Sequence, residues 1–193
     1  MEQIKVKFKT YDVIEHVSDD TFVVERKGKK YFVNRFIPKS EEGEELAYLI
    51  NRVSNSGVCT PKLIAIDKKQ GLIIREHVVG ENMMEKLAKE DLEEKIYELL
   101  FFNAYMAKIN RITLNYEPDK WVYSDNKLYY MSPDFIIYND EKDLVKKYLR
   151  LWFPTKDLQV FLKSHSLQMD NKRVKDEYAV NKEIVLMTCK YYK

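Results

Sequence analysis

The sequence predicts an α+β protein in two lobes: a five-stranded antiparallel sheet with one helix, then a mainly helical region carrying one strand pair. Three observations carry that expectation. The first third of the chain alternates apolar and polar residues with a period of two, as strands do. Leu46, Leu49, Ile50 and Val53 then recur at i, i+3, i+4 and i+7, one face of a helix. Past Gly80 the helical period dominates. The lobes are expected at residues 1–79 and 80–193.

"YDVIEHV" and "TFVVERKGKKYFVNRF" read as three strands, with turns at Ser18-Asp19-Asp20 and at Lys27-Gly28-Lys29. The helix of "PKSEEGEELAYLINRVSNSG" takes Ser40 as its cap and Gly57 as its stop. Two further strands, "PKLIAID" and "GLIIREHV", meet at Lys68-Lys69-Gln70. Asp91 with Glu94 forms a capping-box-like start for a long helix, whose expected buried face is Leu92, Ile96, Leu99, Leu100, Tyr105, Met106 and Ile109. A strand pair follows at about 121–131, around Ser124-Asp125-Asn126. Leu144, Val145, Tyr148, Leu149 and Trp152 predict a helix ending before Pro154, and Thr155 caps a shorter one. Ile184, Val185 and Met187 are the expected anchors of a last helix.

Composition narrows the function. With 193 residues, 45% of them hydrophobic and 13% aromatic, the chain can bury a sizeable core, which argues against wholesale disorder. Lys and Arg (33) nearly balance Asp and Glu (31), unlike a dedicated nucleic-acid binder. Cys59 and Cys189 stand alone, without the spacing of a zinc site or a disulfide framework. The N-terminal "MEQIKVKFKT" is charged where a signal peptide is apolar, and the apolar run 97–109 is too short to span a bilayer. The expectation is a cytoplasmic protein with no membrane span. His16, His77 and His165 read as ordinary surface or packed histidines, and Trp121 and Trp152 as core.

The element order is that of a protein kinase in small form, and three stretches resemble the small atypical kinases: the RIO kinases, the KEOPS-complex kinase-like subunit and the lipopolysaccharide-core sugar kinases. "YFVNRFIPK" is similar to their third strand. "SNSGVCTPKLIAIDKKQGLIIREHVVGENMMEKL" is similar to their helix-to-hinge region, with Glu76 at the nucleotide-contacting hinge. "LNYEPDKWVYSDNKLYYMSPDF" is similar to their catalytic loop and the strand leading to D-F-G. The resemblance covers about Val13 to Phe135 and implies ATP and magnesium as ligands.

Position by position, however, the working groups differ. Asn34 stands where a lysine would hold the phosphates, with Glu45, or Glu44 one register off, as the helix glutamate. Asn115 stands at the catalytic aspartate; an amide cannot take up the substrate proton. Lys120 replaces the second metal ligand, and Ser132 falls on the D-F-G aspartate, while Asp134-Phe135 comes two residues late. The turn at Ser18-Asp19-Asp20 lacks the glycines that let a backbone approach phosphates. Phosphoryl transfer is mostly positioning and charge neutralisation, so losing several of these groups removes the means of catalysis. The implied function is a degenerate kinase-like protein, a pseudokinase serving as a binding or scaffolding module for a protein partner. An active atypical kinase or ATPase remains open, with Asp134 on the metal, Asp119 or Glu117 as base, and Arg35 or Lys120 neutralising phosphate. An RNA-associated role is also open. From Lys163 onward seven basic residues (Lys163, Lys172, Arg173, Lys175, Lys182, Lys190, Lys193) face four acidic ones (Asp170, Asp176, Glu177, Glu183), although a solvated helix face accounts equally for that excess.

Overall fold

The computed structural model of the chain describes residues 2–132, 136–137 and 139–192. The fold is α+β, with an antiparallel sheet and several helices, and the chain divides into two compact units. One comprises Met1–Asn55 and Thr60–Val78; the other comprises Ser56–Cys59 and Val79–Lys193.

The first unit is built on six strands where five are expected. They are β1 (Gln3–Val6), β2 (Lys9–Ser18), β3 (Thr21–Arg26), β4 (Lys29–Arg35), β5 (Leu63–Asp67) and β6 (Leu72–Glu76), in the spatial order β1-β2-β3-β4-β6-β5. The extra strand is β1, whose Val6 and partly buried Ile4 join the core while Gln3 and Lys5 face out. It pairs Gln3 with Asp12 and Val6 with Lys9 across a two-residue turn. Both turn residues, Lys7 and Phe8, have positive φ (49° and 54°), the type I′ geometry that suits the strand twist. Neither is Gly, Asn or Asp, so each carries a backbone cost of roughly 1 kcal/mol. The hairpin between β3 and β4 uses Lys27-Gly28 at the same two positions, where glycine meets the requirement without that cost.

One sheet face gathers Val6, Tyr11, Val13, Phe22, Val24, Val33, Leu72 and Ile74 into a buried cluster. Helix α1 (Glu41–Ser54) starts as expected, with Ser40 Oγ accepting from Gly43 N at 3.0 Å. It buries Ala47, Leu49, Ile50 and Val53. The turn from β5 to β6 is held by Asp67 Oδ1, which accepts from the amides of Lys69 and Gln70. Gly71 (φ 66°) comes so near the chain that an added Cβ would lie 2.0 Å from Phe36 O.

In the second unit a short strand β7 (Glu81–Asn82) leads into α2 (Met83–Lys89), capped by Asn82. The long helix α3 (Glu94–Ile109) begins at Glu93, whose side chain makes no cap bond. Asp91 instead takes Arg173 Nη2 at 2.9 Å, so the expected capping box does not form. The buried face of α3 also differs: Ile96, Tyr97, Leu100, Phe101, Asn103, Ala104 and Ala107 are inside, while Tyr105 and Ile109 are exposed. Asn103 is tolerated there because its Oδ1 accepts from Cys59 N at 2.7 Å and its Nδ2 donates to Leu99 O and Leu128 O.

Strands β8 (Ile112–Thr113) and β11 (Ile136–Ile137) pair with each other, and β9 (Trp121–Ser124) and β10 (Lys127–Tyr130) form the expected strand pair. The turn of that pair, Asp125-Asn126, is again type I′. The stretch expected as a helix before Pro154 is one π turn (Leu144–Tyr148) running into a 3₁₀ turn (Leu149–Trp152). That change of pitch buries Leu144, Tyr148, Leu149 and Trp152 together, which accounts for the broken helix. Helix α4 (Lys156–Ser164) is capped by Thr155, as expected, and α5 (Glu177–Tyr191) by Asp176. Val180 is the fully buried anchor of α5; Val185 is 57% exposed, contrary to the expectation. Leu87, Leu158, Leu162 and Met169 close a small core between α2, α4 and the chain that follows. Among the described residues no helix is long and apolar enough to cross a membrane.

Candidate functional site

The residues singled out by sequence fall into both units. In the first, Asn34 is buried on β4 beside the equally buried Val33, and its other neighbour Arg35 is exposed. Asn34 donates to Thr21 Oγ1 at 3.1 Å, and its Oδ1 accepts from Arg75 Nη2 at 2.8 Å. Arg75 sits on β6, opposite Phe32, and is only 5% exposed. A buried guanidinium beside the position of an expected lysine is a feature the sequence reading missed. Its signal was faint but physical. Arg75 lies within the apolar run "GLIIREHV", whose strand is buried on both faces, so an arginine there has to be buried and partnered.

Among the described residues the expected glutamate partner makes no hydrogen bond to Asn34. Glu45 is exposed, and Glu44 is engaged by Lys68 Nζ from the turn between β5 and β6. Glu76 is exposed at the end of β6, and its backbone N–H donates to Lys62 O at 2.9 Å. The neighbouring His77 stacks on Phe32 with ring centroids 5.3 Å apart. Burial, and then the positive charge of Lys30, holds its imidazole below the usual range.

In the second unit the segment after β8 is fixed from several sides. Tyr130 Oη accepts from Asn115 N, Asn115 O accepts from Trp121 Nε1, and Tyr116 O accepts from Trp152 Nε1. The Trp121 and Trp152 side chains are fully buried. The side chain of Asn115 turns onto its own loop. Its Oδ1 accepts from Glu117 N at 3.0 Å, and its Nδ2 donates to Glu117 Oε2 at 2.9 Å. That is an Asx turn closed by a second bond. Asp119 and Lys120 form an ion pair at 2.6 Å (Oδ2 to Nζ), and Asp119 O accepts from Asn82 Nδ2. Asp119 Oδ1 is buried without a hydrogen bond among the described residues. Ser132 is buried, and Asp134 lies outside the described residues.

Chemically, the arrangement supplies a neutral amide held by a buried cation at one position and a neutral amide held by a carboxylate at another. Neither is a proton acceptor. Among the described residues no three His, Cys, Asp or Glu side chains converge as metal ligands. The cysteines are free: Cys59 is half-buried, with burial raising its thiol pKa, and Cys189 is exposed. His16 pairs with Glu2 at 3.0 Å on the surface, and His165 caps the end of α4.

No protein-family model matches the chain, and no curated protein matches it in sequence. Among solved structures it is similar to the PK-1 kinase of the Cydia pomonella granulovirus, with 12% identity and a TM-score of 0.48 over 66% of this chain and 52% of that one. The chain thus spans about half the length of that kinase, and a superposition at this level defines neither a family nor an activity for it.

Proposed function

We propose that the chain is a kinase-like protein with degenerate phosphoryl-transfer positions that works as a binding or scaffolding module for a protein partner. The observation that carries this reading is Asn115. At the position where the resemblance puts the proton acceptor, an amide is committed through both its ends to Glu117. Asn34 supports the reading in the same way, being held by Thr21 and Arg75. Among the described residues the donor set does not suit a magnesium nucleotide. Lys120 puts a cation at a metal-ligand position, and the carboxylate nearest to it, Asp119, already neutralises that cation.

Incubation of the purified protein with Mg-ATP is expected to give no magnesium-dependent ADP release. Turnover that disappears in Asp134→Ala overturns the proposal. One observation favours a second reading, an active atypical ATP-dependent kinase or ATPase with shifted residues. The unbonded, buried Oδ1 of Asp119 is an acceptor in search of a donor, as a base would be. That reading expects turnover lost in Asp119→Asn, so one assay with two variants separates the two.

A further inference from the structure

The two hairpin tips of the first unit are chemically unlike the rest of it. β1 and β2 turn at Lys7-Phe8, and β3 and β4 turn at Lys27-Gly28. Because β2 pairs with β3, both tips project from the same end of the sheet. Arg26 confirms their adjacency, lying over the Tyr11 ring at 5.9 Å. Lys5, Lys7, Lys9, Lys27, Lys29 and Lys30 are all exposed there, and none forms an ion pair among the described residues. The acidic residues at this end are Asp12, Glu25 and Glu76, half as many as the exposed lysines; Glu2, Asp19 and Asp20 lie toward the other. Six exposed lysines thus gather at the turn ends of two adjacent hairpins.

At the apex stands Phe8, 99% exposed, with a lysine on each side. Nothing in the fold calls for it. The ring packs on no core cluster, and the type I′ turn disfavours any residue with a Cβ at that position. Of the other two hairpins of this type, Asp125-Asn126 suits the backbone at both positions and Lys27-Gly28 at its second; Lys7-Phe8 suits it at neither. A fully exposed ring on a turn that disfavours it is free to meet a surface outside the fold, and the lysines around it set the charge that surface must carry.

We propose that these tips form a peripheral docking surface for an anionic lipid membrane, with Phe8 entering the interface and the surrounding lysines engaging acidic headgroups. Lysine suits this better than it suits nucleic acid. Its long stem lies along the apolar boundary while the ammonium reaches the headgroups, and each such residue adds a similar electrostatic increment. The surface is a convex tip with a single aromatic ring. Tyr11, the next ring inward, is 3% exposed and covered edge-on by Tyr31 at 5.6 Å, so no second ring offers a base-stacking platform. The proposal is independent of the kinase-like reading, since every residue in it lies in β1 to β4 and their turns.

The test is co-sedimentation of the full chain with phosphatidylcholine vesicles, with and without phosphatidylserine. Binding is expected only with phosphatidylserine, weakening as salt is added. Phe8→Gly removes the ring while relaxing the turn, so it is expected to lower binding roughly tenfold or more while raising the melting temperature. Charge removal in Lys7→Gln and Lys27→Gln is expected to cost about fivefold each. Phe8→Trp adds a reporter whose emission shifts to the blue on vesicle binding. Absence of phosphatidylserine-dependent binding overturns the proposal, as does binding indifferent to Phe8→Gly. It is equally overturned if a single-stranded RNA binds through Phe8 and displaces the protein from vesicles at lower concentration than a phosphatidylserine competitor does.

Discussion

At Asn34 an amide stands where the resemblance puts a lysine, and its surroundings suit an amide. The Oδ1 of Asn34 accepts a hydrogen bond from Arg75 Nη2 inside the sheet, so the guanidinium keeps an acceptor where a lysine would repel it. Asn34→Lys, the change that restores the residue expected from the resemblance, therefore buries two cations side by side. We expect it to cost about 3–5 kcal/mol in urea unfolding and to give no ATP turnover. Asn34→Asp, by contrast, offers Arg75 a carboxylate and is expected to leave the unfolding midpoint within about 1 kcal/mol of the parent. If the lysine variant proves as stable as the parent, Arg75 does not depend on this acceptor. Half of the arrangement was legible in advance. Strand alternation put Arg35 on the face opposite Asn34, and Arg35 is the exposed one of the two. The pairing of Asn34 with Arg75 was not, because their 41-residue separation leaves no local pattern.

Among the elements, α2 and the segment after α4 share a small apolar core, and Arg173 adds a hydrogen-bonded tie between them. Arg173 donates from Nη1 to Leu87 O and Ala88 O, each at 3.0 Å, and from Nη2 to Asp91 Oδ1 at 2.9 Å. It thus satisfies carbonyls in the last turn of a helix that has no intrahelical partners for them, and places a cation at the negative end of the dipole. Burial works against ionisation of Asp91. The hydrogen bond from Arg173 and the charge of Lys175 nevertheless bring its carboxyl below the usual range. Arg173→Ala is expected to lower stability by about 2–3 kcal/mol, and Arg173→Lys to recover less than half of that, since an ammonium cannot fork to both carbonyls and the carboxylate. Equal stability of the lysine and parent proteins in denaturant would refute the forked geometry. The same segment marks a boundary of sequence reading. Ser40 and Thr155 announced their helices because caps are local signals. Asp91 carried the same local signal, but tertiary partners took its side chain and the helix began at Glu94 without it. β1 escaped notice for the opposite reason: its turn lacks the glycine or asparagine by which hairpins are recognised.

For the whole molecule, the alternation and helical periods conveyed an α+β chain and the order of its main elements. They did not reveal which face of α3 is buried. That helix is apolar on several sides, so one stripe of seven residues reads as well as another until its neighbours are known. Tyr97, absent from the expected face, is in fact 5% exposed. Its Oη donates to Trp152 O at 2.7 Å, and its ring stacks on Phe153 at 4.8 Å. Burial, reinforced by the negative charges of Asp91 and Glu183, pushes its phenol far above the ordinary value of 10.0. In the folded protein Tyr97 therefore stays protonated while the unfolded chain begins to ionise near that ordinary value. Above it the unfolded state binds fewer protons than the native state, so stability must fall as pH rises. This one residue contributes a slope approaching about 1.4 kcal/mol per pH unit, with full stability retained below the unfolded pKa. Tyr11, raised chiefly by burial, adds to the trend in the first unit. Urea unfolding measured from neutral to strongly alkaline pH is expected to show the decline, and Tyr97→Phe to be less stable at neutral pH yet flatter in the alkaline range. A parent and a phenylalanine variant with parallel alkaline slopes would mean that Tyr97 ionises as readily folded as unfolded, which a phenol sealed between Phe153 and the backbone of Trp152 cannot do.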